Sequence, residues 1–261
     1  MILAVDIGNT NIVFTRMDGR NVKESFRLAT NAPHCAEDVI AALRPWFADK
    51  TASWEAVLVT SVVPAVTEFV RDAAKSLTGL TPLVHGENLG SDLTVKLDDP
   101  SEIGSDLVVA AVAALELETP PLIIFDMGTA TTISVLDREG SFLGGAIVPG
   151  VVLSLSALSG NTAQLPAVML EAPEHCIGTN TVDCMRSGAL YGAAAIADGM
   201  CERIEAELGE KATVIATGGL APFVLPLCKR SIRYEEHLLL HGLVKLWEDR
   251  DNAGATQRRK A

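Results

Sequence analysis

The chain has 261 residues, 48% hydrophobic and 21% charged, which is too apolar for a disordered chain and too interrupted by charge for a membrane protein. Its 33 Asp and Glu against 21 Lys and Arg give a formal net charge of −12, spread over both halves and of the wrong sign for general attraction to nucleic acid or anionic lipid. At roughly 150 residues per domain, this length suits one large domain or two small ones.

In chain order, the first element is an apolar run over residues 2–5 that ends in Asp6-Ile7-Gly8-Asn9-Thr10 and resumes as a β-rich segment. Asp6 interrupts that run and removes a signal-peptide reading, and no uncharged apolar stretch of 18 residues follows, so no membrane span is expected. Helical periodicity of 3.6 predicts helices over 36–43, 66–77 and 105–117, and VLVTSVVP over 57–64 reads as a strand ending in Thr and a turn. Residues 122–140, LIIFDMGTATTISVLDREG, repeat the opening unit: Asp126 matches Asp6, Gly128 matches Gly8, and Thr132 is expected to begin the second strand. Residues 146–158 contain Pro149 and Gly150 and read as a loop leading into a core helix. A long helix is expected over 181–208, with Asn180 or Thr181 as its N-cap and Gly209 as its stop. VIATGGLAP over 214–222 parallels the earlier strand ending in Thr, a helix follows over 238–247, and residues 251–261 lack an apolar pattern and are expected to fray.

A strand pattern followed by helices, occurring twice, implies an α/β protein of two similar domains, 1–117 and 118–250, followed by a flexible tail, 251–261. The five cysteines, Cys35, Cys176, Cys184, Cys201 and Cys228, include no Cys-x-x-Cys pair and fit reduced thiols in a cytoplasm. Each repeated tip joins a sharp Gly turn with backbone N–H groups, Thr or Asn donors, and an Asp carboxylate able to hold a hydrated cation. That set suits a phosphate chain with a metal, gripped from two walls of an interdomain cleft. One such tip alone is an ordinary hairpin turn; two in equivalent places argue for a shared task. Thr217-Gly218-Gly219 fits the same site, because two glycines after a strand let a flat adenosine lie against backbone. No P-loop, no Gly-x-Gly-x-x-Gly and no HExxH zinc motif occurs, and the five histidines lack ligand spacing.

DIGNT at 6–10, DMGTATT at 126–132 and TGG at 217–219 resemble the phosphate and adenosine motifs of the actin, Hsp70 and sugar-kinase superfamily. Within it, TSVVP at 60–64, DPSEIGSD at 99–106, GGAIVPG at 144–150, ALSGNTAQLP at 157–166, IGTNTVDCMRSG at 177–188 and ATGGLAP at 216–222 resemble the type III pantothenate kinases. The resemblance implies two actin-like, ribonuclease H-like ATPase domains around a nucleotide cleft. It also implies ATP-dependent phosphorylation of the pantothenate primary hydroxyl, the first step of coenzyme A biosynthesis, by a cytoplasmic homodimer with no nucleic-acid or membrane partner.

Carried over by position, Asp6, Ile7, Gly8, Asn9, Thr10, Asn11, Ile12 and Val13 would line the phosphates of Mg-ATP, with Thr129, Gly218 and Gly219 completing the ATP contacts. Asp126 would hold a monovalent cation, potassium or ammonium, and Asp106 would be the catalytic base. Gly104, Ser105, Asp106, Leu107, Leu97 and Thr181 would be the acceptor-binding positions. Without the resemblance, Asp106 reads equally well as a carboxylate stabilised by a helix N-terminus, and Thr181 as a cap. The family has an Arg where this chain has Leu107 and a Tyr where it has Leu97. Losing an Arg–carboxylate contact removes roughly 1.5 to 3 kcal/mol of binding. Arg186 is a candidate compensation, with a solvated surface Arg as the plainer alternative. The same departures leave a kinase for another small hydroxy acid, or a non-catalytic nucleotide-binding regulator, as the alternative functions.

Overall fold

In the computed structural model of the chain, residues 1–47 and 53–258 are described, the side chains through Arg250. The first sheet contains β1 (Ile2–Ile7), β2 (Asn11–Asp18), β3 (Asn21–Ala29), β4 (Ala56–Ser61) and β5 (Leu83–Val84) in the order β3-β2-β1-β4-β5. The second contains β6 (Leu122–Met127), β7 (Ala130–Leu136), β8 (Phe142–Pro149), β9 (Thr213–Thr217) and β10 (Arg233–Tyr234) in the order β10-β9-β6-β7-β8. In both sheets the first three strands are antiparallel and the remaining two pairings are parallel. The repeat read in the sequence is therefore a repeat of topology.

Among the described residues, the α-helices are α1 (Ala36–Leu43), α2 (Pro64–Thr78), α3 (Ser105–Leu117), α4 (Val151–Gly160), α5 (Thr181–Leu208), α6 (Ala221–Val224) and α7 (Leu238–Arg258). Strand alternation decides which helix packs where. On β1, Leu3, Val5 and Ile7 face a core with Val39 and Leu43 of α1 and Val66 and Val70 of α2. Ile2 and Ala4 face the other way, onto Val109 of α3 and Leu240, Leu243 and Val244 of α7. In the second sheet, Ile123, Phe125 and Met127 pack with Val151 and Leu155 of α4 and Met185, Leu190 and Ala194 of α5. Asn180 caps α5 by accepting the Asp183 N–H, and Gly209 ends it with φ +75°, a conformation that suits a residue without Cβ.

The chain divides into two compact units that are not consecutive halves of the sequence. The first comprises Met1–Leu93, Ser101–Ala113 and the chain from His237 onward; the second comprises Thr94–Pro100 and Ala114–Glu236. Two local interactions move these boundaries from the expected 1–117 and 118–250. The apolar face of α7 is spent on β1 and β4 of the first sheet. Residues 94–96 lie along the start of β8, where Lys96 N–H donates to the Phe142 carbonyl and Phe142 N–H to Thr94, each at 2.8 Å. Helix α7 also continues to Arg258, through most of the stretch expected to fray. The core helix expected within 146–158 is α4, with Val151 and Leu155 buried, but what leads into it is not a loop: β8 runs through Pro149. The second strand of the later hairpin begins at Ala130 rather than Thr132. Among the described residues, no helix is long and apolar enough to cross a membrane.

Candidate active site

In the first unit, β1 carries Asp6 one residue before its end, opposite Val13 of β2 and beside Thr60 of β4. Ile7 and Ile12 are buried beneath the hairpin tip while Asn9 and Thr10 are exposed, so the apolar pattern anchors a polar turn. The turn is braced by Gly8 N–H to the Asn11 carbonyl at 3.0 Å and by Thr30, which donates its N–H to the Thr10 carbonyl and its hydroxyl to the Gly8 carbonyl at 2.7 Å. Backbone and side-chain donors are thus held at a fixed tip, as anion recognition requires.

Asp106 lies in the first turn of α3 of the same unit. Its Oδ1 accepts the Leu107 N–H at 2.9 Å, and a Cβ on Gly104 would stand 2.5 Å from that oxygen. Gly104 is therefore the space in which the carboxylate sits. Burial raises the Asp106 pKa above the ordinary 3.8, partly countered by the Leu107 hydrogen bond. The neighbouring Ser105 hydroxyl lies 2.9 Å from the Thr60 hydroxyl and 2.8 Å from His85 Nδ1.

In the second unit, Asp126 occupies the matching place on β6, opposite Thr132 of β7 and beside Thr217 of β9. The turn after it is one residue shorter: Gly128 N–H donates to Ala130 rather than to the fourth residue of a longer loop. Thr129 is exposed at this tip, and its carbonyl accepts the Gly150 N–H at 3.1 Å, as Thr10 accepts from Thr30 in the first unit. Gly218, with φ +91°, lies against the Asp126 side chain, and a Cβ there would stand 2.6 Å from both Asp126 Oδ1 and the Met127 carbonyl oxygen. Gly219 has open space around it. Replacing Gly218 by Ala is expected to strain this turn and displace the Asp126 carboxylate, lowering the denaturation midpoint.

Three further sequence-predicted positions also lie in the second unit. Thr181 opens α5 and borders a cavity of about 460 Å3 with Leu158, Leu165, Asn180 and Met185. Arg186 is turned to Glu171, with Nη2 2.6 Å from its carboxylate, and its Nε donates to the Met169 carbonyl at 3.3 Å. Its guanidinium therefore ties the segment before α5 to that helix. Arg186→Ala is expected to speed limited proteolysis within 165–178. Leu97 lies close to Gly144 of β8, where an added Cβ would be 3.4 Å from its Cδ2. Lys96 beside it pairs with Asp137 at 2.5 Å.

The sequence profile of type III pantothenate kinases matches residues 2–203. A type III pantothenate kinase of Moorella thermoacetica is 36% identical over 251 residues, covering 95% of this chain and 99% of that protein. One from Anaeromyxobacter sp. strain Fw109-5 is 37% identical at the same coverage. The chain belongs to the type III pantothenate kinase family. A ROK family glucokinase from Streptomyces griseus, solved with glucose and AMPPNP, is similar with a TM-score of 0.51 at 15% identity, covering 94% of this chain and 97% of the other. The chain thus shares its α/β fold, with two five-stranded sheets of matching topology, with a sugar kinase. Sequence reasoning missed Thr60 and His85. Thr60 had a signal, because TSVVP and ATGGLAP are equivalent strand ends, and the register now places Thr60 beside Asp6 as Thr217 is beside Asp126. His85 had none.

Proposed function

We propose that this chain transfers the γ-phosphoryl group of ATP to the primary hydroxyl of pantothenate, opening coenzyme A biosynthesis. The observation that carries this reading is Asp106, a carboxylate half-buried at the start of α3 in space provided by Gly104, within a family-wide match. As the acceptor oxygen bonds to the γ-phosphorus, the bond to the ADP oxygen breaks and the hydroxyl proton passes to Asp106. A carboxylate with a raised pKa is a better proton acceptor than an ordinary one, while positioning and charge neutralisation supply most of the rate. Asp6 to Val13 and Thr129 contact the phosphates in this reading, Gly218 and Gly219 face the adenosine, and Gly104 to Leu107 with Thr181 contact the acceptor.

Asp126 is the proposed ligand of a potassium or ammonium ion. Asp126 Oδ1 and the Met127 carbonyl oxygen both come close to Gly218, and hard oxygen donors are the kind such a cation takes. A bound cation supplies positive charge against the phosphates. A homodimer in the cytoplasm is also proposed. Ile147, Met169 and Ile177 of the second unit, 74%, 83% and 83% exposed, are large apolar side chains of the kind that association with a second copy covers.

Leu97 and Leu107 favour a second reading, a kinase acting on a related hydroxy acid that needs no Arg contact. Purified protein is assayed for ADP formation with pantothenate and with a panel of hydroxy acids, with potassium or ammonium present. Pantothenate-dependent turnover is the expected result. Turnover only with another acceptor selects the second reading, and ATP binding with no turnover selects the regulator.

A further inference from the structure

Thr60, Ser105 and His85 come from three separate stretches of the first unit and meet at one hydroxyl. Thr60 ends the apolar run of β4 and is fully buried. His85 follows β5 directly, and its backbone is pinned by its N–H to the Val59 carbonyl at 2.9 Å. The turn behind it is fastened by the Asn88 side chain, which accepts the Val84 N–H at 2.6 Å and donates to the Pro82 carbonyl at 3.2 Å. His85 therefore stands on a rigid base, with Nδ1 2.8 Å from Ser105 Oγ, while Thr60 Oγ1 lies 2.9 Å from the same oxygen.

A hydroxyl has one proton to give and can accept others. With a neutral imidazole protonated on Nε2, Thr60 donates to Ser105 and Ser105 donates to His85 Nδ1; with the proton on Nδ1 both bonds reverse, and in either order Ser105 Oγ joins the other two groups. Burial, which lowers the His85 pKa, favours that neutral ring. Ser105 is the first residue of α3 and Asp106 the second, so two hydrogen bonds to Ser105 fix the helix start that carries the carboxylate. Thr60 is also the β4 partner of Asp6 in the sheet register. One chain of hydrogen bonds thus references the start of α3 to the strand end that bears the first phosphate-tip aspartate.

We propose that His85 and Thr60, acting through Ser105, position Asp106 for proton acceptance. This rests on the reading of Asp106 as the base. A carboxylate that must meet a hydroxyl proton at hydrogen-bond distance loses rate steeply when its support is loosened, about 100-fold for a displacement near 1 Å. The three residues act at the chemical step and leave nucleotide binding alone.

The test compares wild type with Ser105→Ala, His85→Ala, His85→Asn, Ser105→Thr and Asp106→Asn, by kcat, by KM for ATP and by denaturation midpoint. Ser105→Ala and His85→Ala are expected to lower kcat about tenfold or more with KM for ATP within twofold of wild type. Ser105→Thr keeps the hydroxyl and His85→Asn keeps a polar partner, so each should recover part of the loss. The Ser105→Ala/His85→Ala double variant should be no slower than the worse single one, since the residues act as one unit. In an Asp106→Asn background, Ser105→Ala should change kcat no further. If Asp106→Asn is inactive while Ser105→Ala and His85→Ala keep wild-type kcat, the positioning role is overturned and the Asp106 reading stands. If Asp106→Asn keeps wild-type kcat, the base assignment falls and the positioning role with it. Losses of kcat that only follow a lost folded fraction also overturn the proposal, and Ser105→Thr separates that case.

Discussion

Asp106→Asn is expected to lower kcat for pantothenate phosphorylation about 100- to 10,000-fold, the usual worth of a positioned general base, while ATP binding changes little. The substitution is close to isosteric. An Asn carbonyl can still accept the Leu107 N–H that Asp106 Oδ1 accepts at 2.9 Å, and it fits the space left by Gly104. What it removes is the ability to take a proton at neutral pH. The wild-type pH profile carries the same signature. The carboxylate must be ionised to act, so activity falls as pH falls through the Asp106 pKa, and burial places that limb above the ordinary carboxylate value of 3.8. The limb should be absent from whatever activity the Asn variant retains. Measuring kcat against pH for both proteins, with nucleotide binding followed separately by calorimetry, checks both halves of the expectation. Retained binding with lost turnover is the diagnostic pair.

The second large effect concerns stability and lies away from the chemistry. Glu205, 5% exposed in the last turns of α5, accepts from the Arg230 guanidinium, from Lys211 Nζ at 2.7 Å and from the Ala212 N–H at 3.1 Å. Arg230 also donates to the Ala212 carbonyl at 2.7 Å. The Arg230 hydrogen bond above all, and then those of Lys211 and Ala212, outweigh burial and bring the Glu205 pKa down to about 2 from 4.5. Replacing Glu205 by Ala leaves a half-buried guanidinium and a backbone N–H without their acceptor. Breaking such a pair from one side costs about 3 to 5 kcal/mol, and the lower end applies because Arg230 keeps some contact with water. Because the folded-state pKa is depressed, this stabilisation is complete above about 4.5 and is lost as pH falls towards about 2. Urea unfolding followed across that range should show wild type losing stability that Glu205→Gln does not lose. The cluster also has a positional role: it clamps α5 to the residue before β9, and β9 ends in Thr217-Gly218-Gly219.

The parts of this fold that are legible in the sequence are those written in contiguous residues. Residues 2–7 and 122–127 are apolar runs broken by one Asp, which is what a central strand buried on both faces looks like. Helix α5 announces both of its ends, since Asn180 caps it and Gly209 stops it. Strand β8 is hidden by its own glycines. A Cβ at Gly145 would overlap the Ile133 carbonyl oxygen, so close pairing with β7 demands a residue that weakens the strand pattern. Pro149 closes the strand and disguises it further.

The candidate site divides along the same line. Asp6, Asp126, Gly128 and the TGG turn are readable because the repeat places each motif at the end of a strand, and the register of both sheets gives the two aspartates equivalent neighbours. Asp106 is readable only through family resemblance, because one carboxylate at a helix start is common. The meeting of Thr60, His85 and Ser105 is not readable at all.

By itself, then, the sequence determined the periodicity of the strands and helices, the duplication and the polar tips, since these depend on residues within a few positions of one another. Tertiary structure decided which sheet α7 covers, which unit residues 94–96 join, that Arg186 is engaged by Glu171, and that a half-buried histidine supports the residue before Asp106. Each of these is a choice between surfaces of similar polarity. It is settled by which apolar faces and hydrogen-bonding groups remain to be satisfied once the sheets have formed, a quantity that no local stretch of chain contains.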